Sequence, residues 1–266
     1  MPKLCFQDVT LSYPDHAAKK GERFTALSGL DFSLEAGEAI ALIGPSGCGK
    51  SSALKLACGL LKPDSGHVLV DGEELSAPRQ KTALILQDFG LLPWKTVRAN
   101  AELGLKIRGV ERAERRERAQ HALELVGLDA FAANYPGALS GGMKQRLALA
   151  RSLALDVDLL LMDEPLSALD ALLREQLQDT LLELWQRQGY AQVLVTHSID
   201  EAVYLGQRIY VLSPRPSRVI GIVENPDVGE RDYRGSDAFF SQVTRVRSLL
   251  HEGQRAAEDA CEAAYA

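Results

Sequence analysis

Apolar and polar residues alternate from Leu4 to Tyr13, the period-two pattern of a strand with one buried face. Pro14–Glu22 is polar and turn-rich and predicts a loop. Leu30–Leu34 and Ala39–Ile43 predict two more strands. The second is apolar at consecutive positions, as a strand covered on both faces must be. Gly49–Leu60 predicts a helix, and short strands follow at His67–Val70 and Ala83–Leu86. From about Thr96 to Leu153 the spacing turns helical. One helix, Glu111–Val126, carries Glu111 with Arg115 and Glu114 with Arg118 at i,i+4 spacing on a solvated face. Strands return at Leu159–Met162, Gln192–Val195, Arg208–Leu212 and Val219–Val223, with helices between. A β-rich start, then α/β, helical and α/β stretches, predict an α/β core with a helical subdomain inserted in it. The expected limits are 1–225 for the core, with the insertion at about 88–155, and 226–266 for a C-terminal helical tail, partly flexible. In that tail Phe239–Leu250 predicts a short helix, and Gly253–Ala266, small and acidic, is expected to fray.

Composition narrows the class. The 266 residues are 46% hydrophobic and 25% charged, which suits an ordinary globular core. The net charge of −6 gives no basic footprint, so no nucleic-acid partner is indicated. The longest apolar runs, Ala39–Gly44 and the one ending at Met162, fall far short of the roughly 18 residues that span a bilayer. No apolar h-region follows Met1, so no signal peptide is expected. Cysteines at 5, 48, 58 and 261 show neither metal spacing nor a disulfide framework, which points to a reducing cytoplasm. A membrane role would have to come through a partner.

Chemistry enters at Gly44-Pro45-Ser46-Gly47-Cys48-Gly49-Lys50-Ser51, which fits G-x-x-x-x-G-K-[ST] between a strand and a helix. Glycines let backbone N–H groups turn inward around phosphate oxygens, and the helix N-terminus faces the same anion. Lys50 would reach the β- and γ-phosphates, and Ser51 would ligate Mg²⁺. Ser52 offers a second hydroxyl for the α-phosphate, and Cys48 is read as a small residue that fits the loop. A buried strand then ends in Asp163-Glu164. Charges there are costly unless they meet a cation. Asp163 is placed to hold Mg²⁺, and Glu164 is the candidate general base for the attacking water. Leu139-Ser140-Gly141-Gly142-Met143-Lys144-Gln145-Arg146 supplies a serine and two glycines at a helix start, a second small anion site.

With the phosphate loop and the acidic strand, this last segment resembles the signature of ATP-binding cassette (ABC) ATPases. The likeness runs from about Leu4 to Val223. It implies a P-loop NTPase fold with a RecA-like core, an N-terminal antiparallel β subdomain and the helical insertion. It also implies ATP and Mg²⁺ as ligands, and a head-to-tail pair of copies in which Ser140–Gly142 of one completes the nucleotide site of the other. By the same resemblance Tyr13 looks like the aromatic that stacks on adenine. Gln87 looks like the glutamine that senses Mg²⁺ and water, Ser167–Asp170 like the loop that crosses the dimer interface, and His197 like the switch histidine on the γ-phosphate. Ser52 stands where threonine is more usual, which keeps the hydroxyl.

Leu91-Leu-Pro-Trp94 and Leu212-Ser-Pro-Arg-Pro216 are similar to stretches in ATPases of the nitrate/sulfonate/taurine importer group. That implies permease subunits as partners, a periplasmic or lipid-anchored solute-binding protein at one remove, and a place at the cytoplasmic face of the inner membrane. Gln87–Trp94 would receive the coupling helix of the membrane subunit. Trp94 is open between two readings, a docking side chain or a core side chain of the helical subdomain. The alternatives left open are an exporter ATPase and a soluble ABC protein outside transport.

Overall fold

The computed structural model of the chain describes residues 1–15 and 22–265, with side chains through residue 259. Most of the predicted Pro14–Glu22 loop lies outside the described residues. Two sheets form the frame. The first is antiparallel, in the order β2-β1-β4-β5, built from β1 (Leu4–Pro14), β2 (Arg23–Leu34), β4 (Ser65–Val70) and the short β5 (Glu73–Glu74). The second has the order β10-β9-β3-β8-β7-β6. Its members are β3 (Ala39–Ile43), β6 (Thr82–Ile85), β7 (Leu159–Asp163), β8 (Ala191–Thr196), β9 (Arg208–Leu212) and β10 (Val219–Glu224). All its pairings are parallel except β9 with β10.

The consecutive apolar positions of the central strands have the predicted cause, burial on both faces. Ile40 and Leu42 of β3, Leu159 and Leu161 of β7, and Val193 and Val195 of β8 pack with α1 (Lys50–Ala57) and the antiparallel sheet. Ala41, Ile43, Leu160, Met162 and Leu194 point to the other face. There they meet helices from α2 (Val97–Ala101), α4 (Arg112–Leu125), α5 (Gly141–Leu153), α6 (Ala171–Gln188), α7 (Ile199–Leu205) and α8 (Asp237–Tyr265). The chain leaves the sheet after β6 and runs through α2, α3 (Leu103–Ile107), α4 and α5. It re-enters at β7, which puts the all-helical stretch between two neighbouring strands.

Three expectations change. β2 begins at Arg23 rather than Leu30, because the strand continues through Ser28 and Gly29, where irregular register breaks the alternation. In α4, Glu114 pairs with Arg118 at 3.2 Å, but Glu111 does not pair with Arg115. Glu111 caps the helix by accepting from the Ala113 N–H, and Arg115 reaches Glu102 instead. At the C-terminus α8 passes through Gly253 and reaches Tyr265. Gly253 does not break it, and there the helix passes close to the end of the Ile220 side chain. A Cβ would lie 2.3 Å from Ile220 Cδ1.

Leu161 is fully buried in the middle of β7, so Leu161→Ala removes packed methyls from beneath the strand that ends in the two acids. A loss of about 2–5 kcal/mol is expected, read as a lower denaturation midpoint at unchanged denaturant sensitivity.

Candidate active site

The functional groups converge on the carboxyl edge of the six-stranded sheet, where a parallel order of strands leaves its open crevice. β3 runs into the phosphate loop, β7 into Asp163-Glu164, β8 into His197 and β6 towards Gln87. Gly49 caps α1 at φ +116°, and a Cβ there would sit 2.7 Å from Leu27 Cδ2. Only glycine fits both demands. Lys50 is 6% exposed, and its ammonium donates to the carbonyls of Gly44 (2.7 Å) and Pro45 (2.9 Å). Gly44, Pro45 and the buried Cys48 therefore line the inner side of the loop around that cation. Ser46, Gly47, Gly49, Ser51 and Ser52 face an open cleft of about 300 Å³, with Tyr13, Phe24, Gln87, Glu164 and Arg215 on its other walls. The Tyr13 hydroxyl lies 2.9 Å from Ser52 Oγ, tying the aromatic wall to the loop.

Asp163 is 5% exposed and accepts from the Ser51 hydroxyl at 3.0 Å. Burial holds its carboxyl above the usual carboxylate range, opposed by that hydrogen bond. Ser51, Asp163 and Gln87 also border a neighbouring hollow of about 400 Å³. A carboxylate, a hydroxyl and an amide, all oxygen donors and with Asp163 and Ser51 already in contact, fit a hard cation such as Mg²⁺. Glu164 adopts φ +49°, a left-handed conformation uncommon outside glycine. Its N–H donates to the Val195 carbonyl at 2.9 Å, and its carboxylate lies 3.2 Å from His197 Nδ1.

The second predicted cluster stands apart. Ser140 caps α5 by accepting from the Met143 N–H, and Asp170 caps α6 by accepting from Leu173. Gly142 packs closely on the Ala168–Leu169 segment, where a Cβ would lie 3.1 Å from Leu169 Cδ2. None of Ser140, Gly141, Gly142 and Asp170 lines the cleft around Lys50. One chain thus keeps the two predicted anion sites apart, the second outside the cleft that the first lines.

The ABC transporter family pattern matches residues 27–167. This chain belongs to the ABC transporter family. A Brucella abortus protein described only as ATP-binding is 45% identical over 222 residues, 84% of this chain and 82% of that one. The taurine import ATP-binding protein of Pseudomonas aeruginosa is 43% identical over 220 residues, 83% of this chain and 82% of its own. Among solved structures, the dimer of MJ0796, a bacterial ABC transporter cassette, matches with a TM-score of 0.76 at 31% identity, over 83% of this chain and 98% of that one. The same cassette in a post-hydrolysis dimeric state, bound to ADP and Pi, matches with a TM-score of 0.75. The fold is that of a P-loop ABC ATPase, and the enzyme class is ATPase.

Within this ABC ATPase the structure adds residues that sequence reasoning passed over. Gln145, named only as part of the signature run, is buried. Its amide donates to the Glu164 carbonyl (2.9 Å) and accepts from the Ala168 N–H (2.9 Å). Arg151, two turns further along α5, donates to the carbonyls of Phe89 and Gly90 just after Gln87, each at 2.6 Å. One helix therefore braces both the glutamate turn and the glutamine loop. A polar residue on the apolar stripe of α5 was the available signal for Gln145. Asn100, fully buried, donates to the carbonyls of Leu92, Lys95 and Thr96 and so stiffens the Leu91–Trp94 loop. Trp94 is 71% exposed and not part of the core. Glu201, also buried, accepts from Thr196, whose hydroxyl in turn accepts from the Ser198 N–H at 3.0 Å. These contacts shape the turn that carries His197.

Gln145→Ala would remove two part-buried hydrogen bonds, leaving the Glu164 carbonyl only its Ser167 donors and the Ala168 N–H without this acceptor. A loss of about 1–2 kcal/mol in unfolding free energy is expected by chemical denaturation. Burial raises the Glu201 carboxyl above its usual range, so folding favours its protonated form. That contribution is complete below the unfolded value of about 4.3 and fades as pH rises through the folded one. Glu201→Gln should therefore match wild type at the acid end of that window. It should become progressively more stable than wild type as pH rises through it, in thermal melts of the nucleotide-free protein. A constant gap would show that the acid is not the cause.

Proposed function

We propose that two copies of this chain clamp two MgATP molecules head to tail, and that closure powers uptake of a small solute through permease subunits in the inner membrane. The carrying observation is the split site. The cleft around Lys50 is open, and the second anion feature of the same chain, Ser140–Gly142, stands outside it. The likeness to a dimeric cassette supports the pairing. In the closed pair, Lys50 and the loop amides from Gly44 to Ser52 hold the phosphates, and Tyr13 stacks on adenine. Ser140–Gly142 and Asp170 of the second copy cover the γ-phosphate.

Ser51, Asp163 and Gln87 would hold Mg²⁺, which supplies charge neutralisation at the β- and γ-oxygens. The Glu164 carboxylate accepts a proton from water as the water oxygen bonds to the γ-phosphorus. The bond to the bridging oxygen breaks, and ADP leaves with its electron pair. His197, beside Glu164, donates towards the γ-phosphoryl oxygens. ATP moves the equilibrium because it binds the closed pair better than the open one.

The importer reading draws on the relatives named for taurine import and on the Leu91–Trp94 and Leu212–Pro216 stretches. The solute belongs with taurine, sulfonates and nitrate, delivered by a solute-binding protein. An exposed Trp94 on a braced loop suits docking of a permease helix. No helix of the described residues is long and apolar enough to cross a membrane, so attachment to the cytoplasmic face would be peripheral.

Glu164→Gln removes the proton acceptor and keeps the shape. Turnover should fall by about 10²–10⁴-fold while MgATP still binds, and the variant should accumulate as an ATP-dependent dimer in light scattering. A variant that stays monomeric with bound MgATP, or that keeps wild-type turnover alongside its permease, contradicts the reading.

A further inference from the structure

The loop between β9 and β10 carries Ser213-Pro-Arg-Pro216, and it is fastened to the wall of the cleft. The Ser217 N–H donates to the Ala26 carbonyl and the Ser28 N–H to the Ser217 carbonyl, both at 3.0 Å, in register with β2. Ser213 closes the turn internally, accepting from the Arg218 N–H at 3.1 Å while its hydroxyl donates to Pro214 O at 2.9 Å. Prolines on both sides of Arg215 restrict the backbone further. The guanidinium is thereby held over the Phe24 ring at 5.1 Å, and its Nη2 lies 4.0 Å from where a Cβ on Gly47 would be. Among the described residues it makes no ion pair. Of the described side chains lining the cleft, Lys50 and Arg215 are the cations, and Lys50 is withdrawn among carbonyls on the inner side of the loop.

We infer that Arg215 is a second cation for the polyphosphate chain of the nucleotide, contacting it from the mouth of the cleft while Lys50 contacts it from beneath. This rests on the reading of the cleft as the MgATP site. Phe24 acts as the platform that keeps the guanidinium extended along the loop without burying it, and that contact leaves its outward N–H donors free for phosphate oxygens. The aromatic and the arginine come from β2 and from the β9–β10 turn, so the contact exists only where the antiparallel sheet meets the edge of the parallel one.

The test is equilibrium binding of a non-hydrolysable ATP analogue with Mg²⁺ to the full chain, for wild type and Arg215→Gln. The substitution keeps an amide of similar reach but removes the charge, and the position is exposed, so the fold is left intact. At about 50 mM salt the variant should bind about fivefold more weakly. The difference should shrink by more than half at about 0.5 M, as screening shortens the reach of an exposed cation. Equal affinities at low salt, or a difference that salt does not reduce, would overturn the assignment. The second outcome would mark Arg215 as a packing residue on Phe24. Wild-type protein that fails to bind the analogue would overturn the reading of the cleft and this inference with it.

Discussion

The ammonium of Lys50 is taken almost entirely out of water and held by two carbonyl oxygens of the loop that precedes it. A cation buried without such partners would cost several kcal/mol, so the loop must close tightly around it. That closure needs glycine at 49, where both the dihedral and the nearness of Leu27 forbid a side chain. It also needs a rigid base. β3 supplies one, lying between β8 and β9 with both faces apolar and no edge exposed to solvent. Every other functional group is measured from this point, because parallel neighbours deliver their C-terminal residues to the same edge.

The acids at the end of β7 respond to that arrangement. Asp163 is buried beside the Ser51 hydroxyl, with its proton affinity raised by burial, an environment that a cation would relieve. Glu164 is turned into an unusual backbone conformation and fixed there by Val195 on one side and Gln145 on the other. Backbone strain of this kind persists only where its surroundings over-determine it. Here the surroundings include the helix that begins with the signature. Gln145 and Arg151 of that one helix hold the Glu164 turn and the loop after Gln87, so any displacement of α5 against the sheet is transmitted to both.

Much of this was legible along the chain. The phosphate loop, the acidic strand end and the serine-glycine helix start are each local patterns whose residues act through neighbours in sequence. Local rules of turns, caps and alternation are enough to place them. The two-sided burial of Ala39–Ile43 and Leu159–Met162 was legible for the same reason. The misreadings were equally physical. Phe239–Leu250 predicts only a short helix, yet α8 runs from Asp237 to Tyr265 and packs close to Ile220 at Gly253. Glu111 has a partner at the right spacing, yet it caps its helix while Arg115 finds Glu102 on another one.

The chain by itself marked which residues are candidates for phosphate, metal-ligating and proton-accepting chemistry, because such candidates are recognised by residue type and short spacing. Tertiary structure alone decided which of them share a cleft. It placed Ser140–Gly142 outside the cleft lined by Lys50, set Gln145 against Glu164, left Trp94 in solvent and brought Arg215 to the wall of that cleft. Those pairings join residues far apart in sequence, and their geometry comes from the order of the strands and the packing of helices across them.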